Sequence, residues 1–149
     1  MRNILLWLHI LGGGTWLGAN LAQAIIGPRL MANRDAAPLW LRAVEKASGP
    51  LYGTASAVLL VTGIILVLIS DGVFRFSSLF VTIGFAVVII GGALAGLVFN
   101  RKTRQLIGLY DSGQDAQAPA IYRSLGAWGI LDTVLVAVAI LAMVSKWGV

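Results

Sequence analysis

Residues 4–26, ILLWLHILGGGTWLGANLAQAII, are apolar enough and long enough to cross a bilayer, yet they hold a histidine, three consecutive glycines, an interior tryptophan at position 16, an asparagine and a glutamine. A hydrocarbon core takes about 20 such residues of helix. Three more runs qualify, at about 51–70, 78–100 and 126–146. In lipid, only helices and closed barrels satisfy every backbone polar group. Unbroken apolar runs select helices, because a barrel strand alternates. The expected fold is therefore all-α: an integral membrane bundle of four transmembrane helices, forming a single domain over residues 1–149. The first run also resembles a signal peptide, with MRN ahead of it and AQA near its end. Its length and its interior polar residues argue for a retained helix.

Composition agrees. Of 149 residues, 58% are hydrophobic and 11% charged, where a soluble domain carries about 25% charged residues. The mean hydropathy is +0.89. There is no cysteine, which excludes disulfides, thiolate metal sites and thiol catalysis. The net charge of +5 is not a nucleic-acid signal here, because the basic residues flank the apolar runs. Arg29, Arg34, Arg42, Lys46, Arg101, Lys102, Arg104 and Arg123 fall in the two longer connections, and only Arg2, Arg75 and Lys146 fall on the other side. The positive-inside rule puts the longer loops in the cytoplasm and both termini outside. The expected location is a bacterial plasma membrane. Trp7 and Trp147 would mark the outer interface and Trp128 the inner one.

The connections have structure of their own. PLWLRAVEKASG starts with Pro38 at a plausible first helical position and suits a short helix lying in the interface. Gly49-Pro50 should break or kink it before the second span. RKTRQLIGLY should continue the third helix, DSGQDAQAPA reads as a turn, and residues 119–125 start the fourth helix early.

At 3.6 residues per turn, His9, Gly13, Trp16, Asn20 and Gln23 share one face of the first helix. Gly14 and Gly18 lie opposite as a GxxxG pair, with Gly92 and Gly96 as a second such pair; both suit close helix packing. Gly12 and Gly13 between His9 and Trp16 form a notch. It would admit either a planar ligand or a bulky side chain from another helix, and packing is the commoner cause of such patterns. A rise of ~1.5 Å per residue places His9 roughly 9 Å to the outer side of the midplane, and Asn20 and Asp132 roughly 7 and 6 Å to the inner side. Asn20 and Asp132 thus share a layer and His9 does not. Thr82 and Met143 are the expected neighbours of His9.

Ionisable groups at membrane depth face protein or water and mark functional sites by default. His9, the only histidine, suits ligation of haem iron or copper through a neutral imidazole, or a simple hydrogen bond near the outer interface. Asp132 suits a proton or cation site, a counter-charge, or a structural acid bonded to Asn20 or Thr133. Arg29, at the inner end of the first span, is a topology determinant or a partner for a propionate or lipid phosphate. Trp16 and Met143 fit core packing or cofactor contact. One chain cannot supply two internal histidines, so a haem would need an open sixth position, a Met partner or a second subunit.

LLWLHILGGGTWLGANLAQAIIGPRL resembles the first helix of small bacterial membrane proteins that include CopD-type copper-resistance proteins, HemJ-type protoporphyrinogen oxidases and uncharacterised four-helix relatives. The shared features are a leading LH, a tryptophan seven residues later, small residues around it and PRL near the inner end. AILAMVSKWG resembles the end of the four-helix branch. The HemJ resemblance implies that His9 contacts haem; MANR stands where a second histidine would follow PRL. The copper-resistance resemblance implies copper traffic. Three functions follow as expectations. The first is a haem b protein with a redox or haem-handling role, in which His9 is the axial ligand, Gly13 and Trp16 line the ring, and Arg29 and Met143 complete the site. The second is a non-enzymatic subunit packing in a homo-oligomer or larger membrane complex. The third is a small transporter, for copper or coupled to protons, using Asn20 and Asp132.

Overall fold

The computed structural model describes residues 1–148, and all the regular structure among them is helical. α1 covers Arg2–Met31 and α2 covers Ala36–Leu68. α3, Leu79–Leu94, passes through a π-helical stretch at Ala95–Asn100 into α4, Arg101–Asp111. A 3₁₀ turn at Asp115–Gln117 leads into α5, Ala118–Val144. Four helical rods, at Arg2–Met31, Ala36–Leu68, Leu79–Asp111 and Asp115–Val144, are long and apolar enough to cross a membrane.

The rods run up and down. α1 lies against α2 and α5, and α3 lies against α5 and α2. One end, the basic end, carries the connections at 32–35 and 112–117; the other, the terminal end, carries both termini and the connection at 69–78. The long third helix is as expected, as is the early start of α5.

The expected break at Gly49-Pro50 does not occur. α2 runs through Pro50 without interruption. Proline removes one N–H and crowds the preceding turn, but the residues ahead of it are tied to the bundle. Leu41, 2% exposed, packs with Leu106, Ile107 and Ala118 of α4 and α5. Ala37 and Leu41 are thus covered by the chain itself, and this segment is the first part of α2 and not a separate helix. Asn33 Oδ1 accepts hydrogen bonds from the N–H groups of Asp35 and Ala36 and so satisfies donors at the start of α2.

Ion pairs close the basic end. Arg34 meets Asp115, Arg42 meets Asp111, and Arg104 meets Glu45 at 2.9 Å. Exposed pairs of this kind contribute about 0–1 kcal/mol each, so they set the register of the connections more than the stability. At the terminal end the N–H of Phe80 donates to Trp147 O at 3.1 Å. Gly148, at φ +82°, sits so close to Leu79 that a Cβ there would lie 2.9 Å from Leu79 Cβ.

Small residues let the rods approach, though not where the GxxxG spacing points. Gly14, Gly18, Gly92 and Gly96 have nothing within 4 Å of where a Cβ would be. The glycines in helix contact are others: Gly12 under Leu59, Gly63 beside His9, Gly84 against Met143, and Gly91 under the Trp16 ring. The GxxxG pairs sit on the outer surface of the chain because the inward faces of α1 and α3 are set by the larger side chains that must be covered. At Gly91 a Cβ would lie 2.7 Å from Trp16 Cη2, a rigid atom that cannot swing away.

Gly91→Ala should therefore lower stability by about 1–3 kcal/mol through overpacking. Gly92→Ala, one position on, should be neutral or stabilising by up to about 1 kcal/mol through helix propensity. Unfolding of the purified variants checks this contrast. Equal behaviour of the two would remove Gly91 from the helix contact.

Candidate functional site

The polar stripe of α1 faces inward, and at its centre is Asp132 of α5, 3% exposed. Asp132 Oδ2 accepts two hydrogen bonds from α1, from Trp16 Nε1 at 3.0 Å and from Asn20 Nδ2 at 2.8 Å. The hydroxyl of Tyr52, on α2, donates to Asn20 Oδ1 at 2.7 Å. Gln23 Nε2 in turn donates to the Tyr52 oxygen at 2.7 Å. Trp16 and Tyr52 also meet edge to face, with centroids 6.0 Å apart. Around this cluster lie Val87, Val136 and Ala139.

The direction of each bond follows from the one before. Asp132 Oδ2 accepts, so Asn20 turns its amide nitrogen to it and its oxygen away. That oxygen takes the single proton of Tyr52. Tyr52 then has only lone pairs left for Gln23, which must donate. All the dipoles point toward the carboxyl, and such chains polarise one another in a low-dielectric interior.

The second carboxyl oxygen is different. Asp132 Oδ1 is fully buried and has no hydrogen-bond partner. A buried polar atom without a partner costs about 1–3 kcal/mol. It lies 3.2 Å from where a Cβ on Gly91 would be, a place the Trp16 ring covers, so the missing side chain lets the ring and the carboxyl lie together against α3.

His9 belongs to a separate site toward the terminal end. Its Nδ1 is 2.8 Å from Thr62 Oγ1. The Thr62 hydroxyl donates to Val58 O, so Nδ1 carries the hydrogen and Nε2 keeps a free lone pair. The expected neighbours are elsewhere. Thr82 donates back to backbone oxygens of its own segment, and Met143 lies against Gly84 of α3. His9 meets α2 because α1 packs along α2 for most of its length; depth alone does not say which neighbouring helix is met. Thr133, named with Asn20 as a bonding partner for Asp132, instead donates to Gly129 O at 2.7 Å.

The notch between His9 and Trp16 is filled by Leu59 of α2. A Cβ on Gly12 would lie 3.1 Å from Leu59 Cγ, and Gly13 has Leu59 Cδ2 at 4.0 Å. Arg29 is exposed near the basic end of α1, and Met143 packs on another wall of the bundle. The structure therefore does not bring His9, Gly13, Trp16, Arg29 and Met143 around one space. Among the described residues no three of His, Asp and Glu gather to hold a metal ion. The arrangement does not fit a haem with Leu59 in place.

Two members of the Asp132 cluster go beyond the sequence expectation. Gln23 stands in the stripe without a role, and Tyr52 is absent from it. Their signal is the same depth argument that joins Asn20 to Asp132, applied to a tyrosine at the start of the second apolar run.

Because Asn20 and Tyr52 share one hydrogen bond, Asn20→Ala and Tyr52→Phe should not be additive. Their coupling should be about 0.5–3 kcal/mol in a double-mutant cycle. Unfolding of the two single variants and the double variant measures it, and simple additivity would break the chain at that link. Scans against family models, curated proteins and solved structures found no match to this chain.

Proposed function

We propose that the chain is a multi-pass protein of a bacterial plasma membrane, a small proton-coupled transporter in which Asp132 is the proton-exchanging group. The observation that carries this is the unpartnered, buried Asp132 Oδ1 beside Gly91. Two N–H donors converge on Oδ2 and stabilise a negative charge there. Oδ1 has no partner, so it is the atom free to take and release a proton. A metal cation is a poorer occupant: no second acid stands beside Asp132 in its hydrogen-bonded cluster, and the neighbouring polar atoms Trp16 Nε1 and Asn20 Nδ2 are donors. Asn20 orients the carboxyl, Tyr52 orients Asn20, and Trp16 seals the site against α3. Intramembrane acids held in this way serve as proton relays in transporters.

Insertion in lipid is supported by the outward faces, where Ile10, Ile25, Val61, Leu68, Ile89 and Leu97 are exposed. The basic end carries the Arg and Lys excess that favours the cytoplasm. A second reading, an accessory subunit that packs on partner helices, is favoured by the unfilled glycine faces at Gly14/Gly18 and Gly92/Gly96.

The absence of native cysteine makes sidedness direct to measure. In intact cells, an impermeant maleimide should label Asp71→Cys and should reach Arg34→Cys only after permeabilisation. The reverse pattern would invert the orientation, and labelling of both in intact cells would rule out the spanning arrangement. For function, purified protein in vesicles holding a pH-sensitive dye should speed the decay of an imposed pH gradient, and Asp132→Asn should return the decay to that of empty vesicles while keeping the helix content. Wild-type decay equal to that of empty vesicles would move the assignment to the accessory subunit. A Soret band in the purified protein that His9→Ala removes would move it to haem.

A further inference from the structure

The hydrogen-bond chain from Asp132 ends at a cleft in the outer surface between α1 and α2. The cleft has a volume of about 250 Å³. Its walls are small or apolar, with Ala19, Ala22, Ala43 and Ala47 making the space and Trp40 forming one side. Gln23 and Tyr52, the outer links of the chain, also line it. The Tyr52 hydroxyl is fully used, with its proton on Asn20 and a lone pair on Gln23. The Gln23 amide donates one hydrogen, and its Oε1 accepts no hydrogen bond among the described residues. The free carbonyl acceptor of the cleft is therefore Gln23 Oε1; Ser48, also in its wall, turns its hydroxyl hydrogen back to Val44 O.

On the membrane-spanning reading given above, this cleft opens sideways into lipid. Gln23 lies three residues beyond Asn20, so roughly 11 Å from the midplane at ~1.5 Å per residue. The hydrocarbon core extends roughly 15 Å from the midplane, which puts Gln23 below the headgroup layer. The phosphate and glycerol of an ordinary phospholipid stay above that level. A molecule with an apolar tail and a single uncharged hydroxyl can reach it. A charged headgroup is disfavoured by the low dielectric, and a purely apolar chain leaves the Gln23 oxygen without a partner.

We infer that the cleft between α1 and α2 is a binding site for a lipid-soluble alcohol or phenol, whose hydroxyl donates to Gln23 Oε1 while its apolar body lies along Ala19, Ala22 and Leu51, toward the midplane. The hydroxyl adds one more donor behind Gln23, and every bond inward from there points at Asp132. The same site therefore joins a bound hydroxyl to the buried carboxyl through Gln23, Tyr52 and Asn20.

The test is photolabelling of the whole protein in nanodiscs with a C15 isoprenoid alcohol carrying a diazirine next to the hydroxyl, followed by peptide mapping. The O-methyl ether of the same probe is the control. Adducts should fall within residues 19–23 and 40–52, with the alcohol labelling at least fivefold above the ether. Gln23→Leu should reduce the alcohol signal to that of the ether, and Ala47→Phe, which fills the cleft, should reduce both probes. Equal labelling by alcohol and ether in the wild type, or adducts spread over all four rods, would overturn the site. Asp132→Asn keeps an acceptor for Asn20 and should label within twofold of wild type. Wild-type labelling as expected, together with no proton flux, would retain the cleft and discard the transporter; flux without selective labelling would do the opposite.

Discussion

The convergence of Trp16 and Asn20 on one oxygen of Asp132 is the constraint around which the rest is arranged. It joins α1 to α5 at their middles through two bonds to a group that is nearly inaccessible to solvent. A hydrogen bond of this kind contributes about 0.5–1.5 kcal/mol net, and here the two also fix rotation. Turning α1 by one residue would carry the tryptophan and the asparagine off the carboxyl together. The Trp16 ring then has only one place to lie, over α3, and that requires a residue without a side chain at position 91. Tyr52 secures the asparagine from α2. Four rods are thus held to one carboxyl by three side chains and one missing side chain.

The two ends of the molecule do different work. At the basic end, bonding is between connections: Arg34, Arg42 and Arg104 reach acids on other segments, and Leu41, Leu106 and Ala118 make a second small core. At the terminal end there are few ion pairs to make, and closure relies on backbone contact between the start of α3 and the residues after α5. The polar centre lies between them. This division leaves the His9–Thr62 pair as a local link between α1 and α2, separate from the Asp132 cluster.

The number and order of the rods were legible in the sequence because long apolar runs are a strong signal and backbone hydrogen bonding permits few alternatives. The pairing of Asn20 with Asp132 was legible because depth along a span is set by residue count. Azimuth was not. Nothing in a single sequence says that α1 lies along α2, so His9 was matched to Thr82 and Met143 at the right depth on the wrong helices. The same gap hid Leu59, whose place over Gly12 depends on which helix stands opposite the notch. Pro50 misled for another reason: its local preference is overridden by the burial of Leu41 about two and a half turns earlier. The GxxxG pairs misled because the motif measures how closely a backbone can be approached and not whether anything approaches it.

The π-helical stretch at Ala95–Asn100 has a consequence for the shape of the whole basic end. A wide turn holds one residue more than an α-helix would over the same rise. Winding the same residues as α-helix, with none removed, would rotate everything beyond the stretch by about 100°. Leu106 and Ile107 would leave the small core they share with Leu41, and Arg104 would swing away from Glu45. The surplus residue therefore acts as a phase shift between two halves of one rod: the first half is timed to the buried carboxyl, the second to the loops. A chain built this way could lose one residue at the wide turn and keep both cores, whereas a residue lost elsewhere along the rod would put one core out of phase with the other.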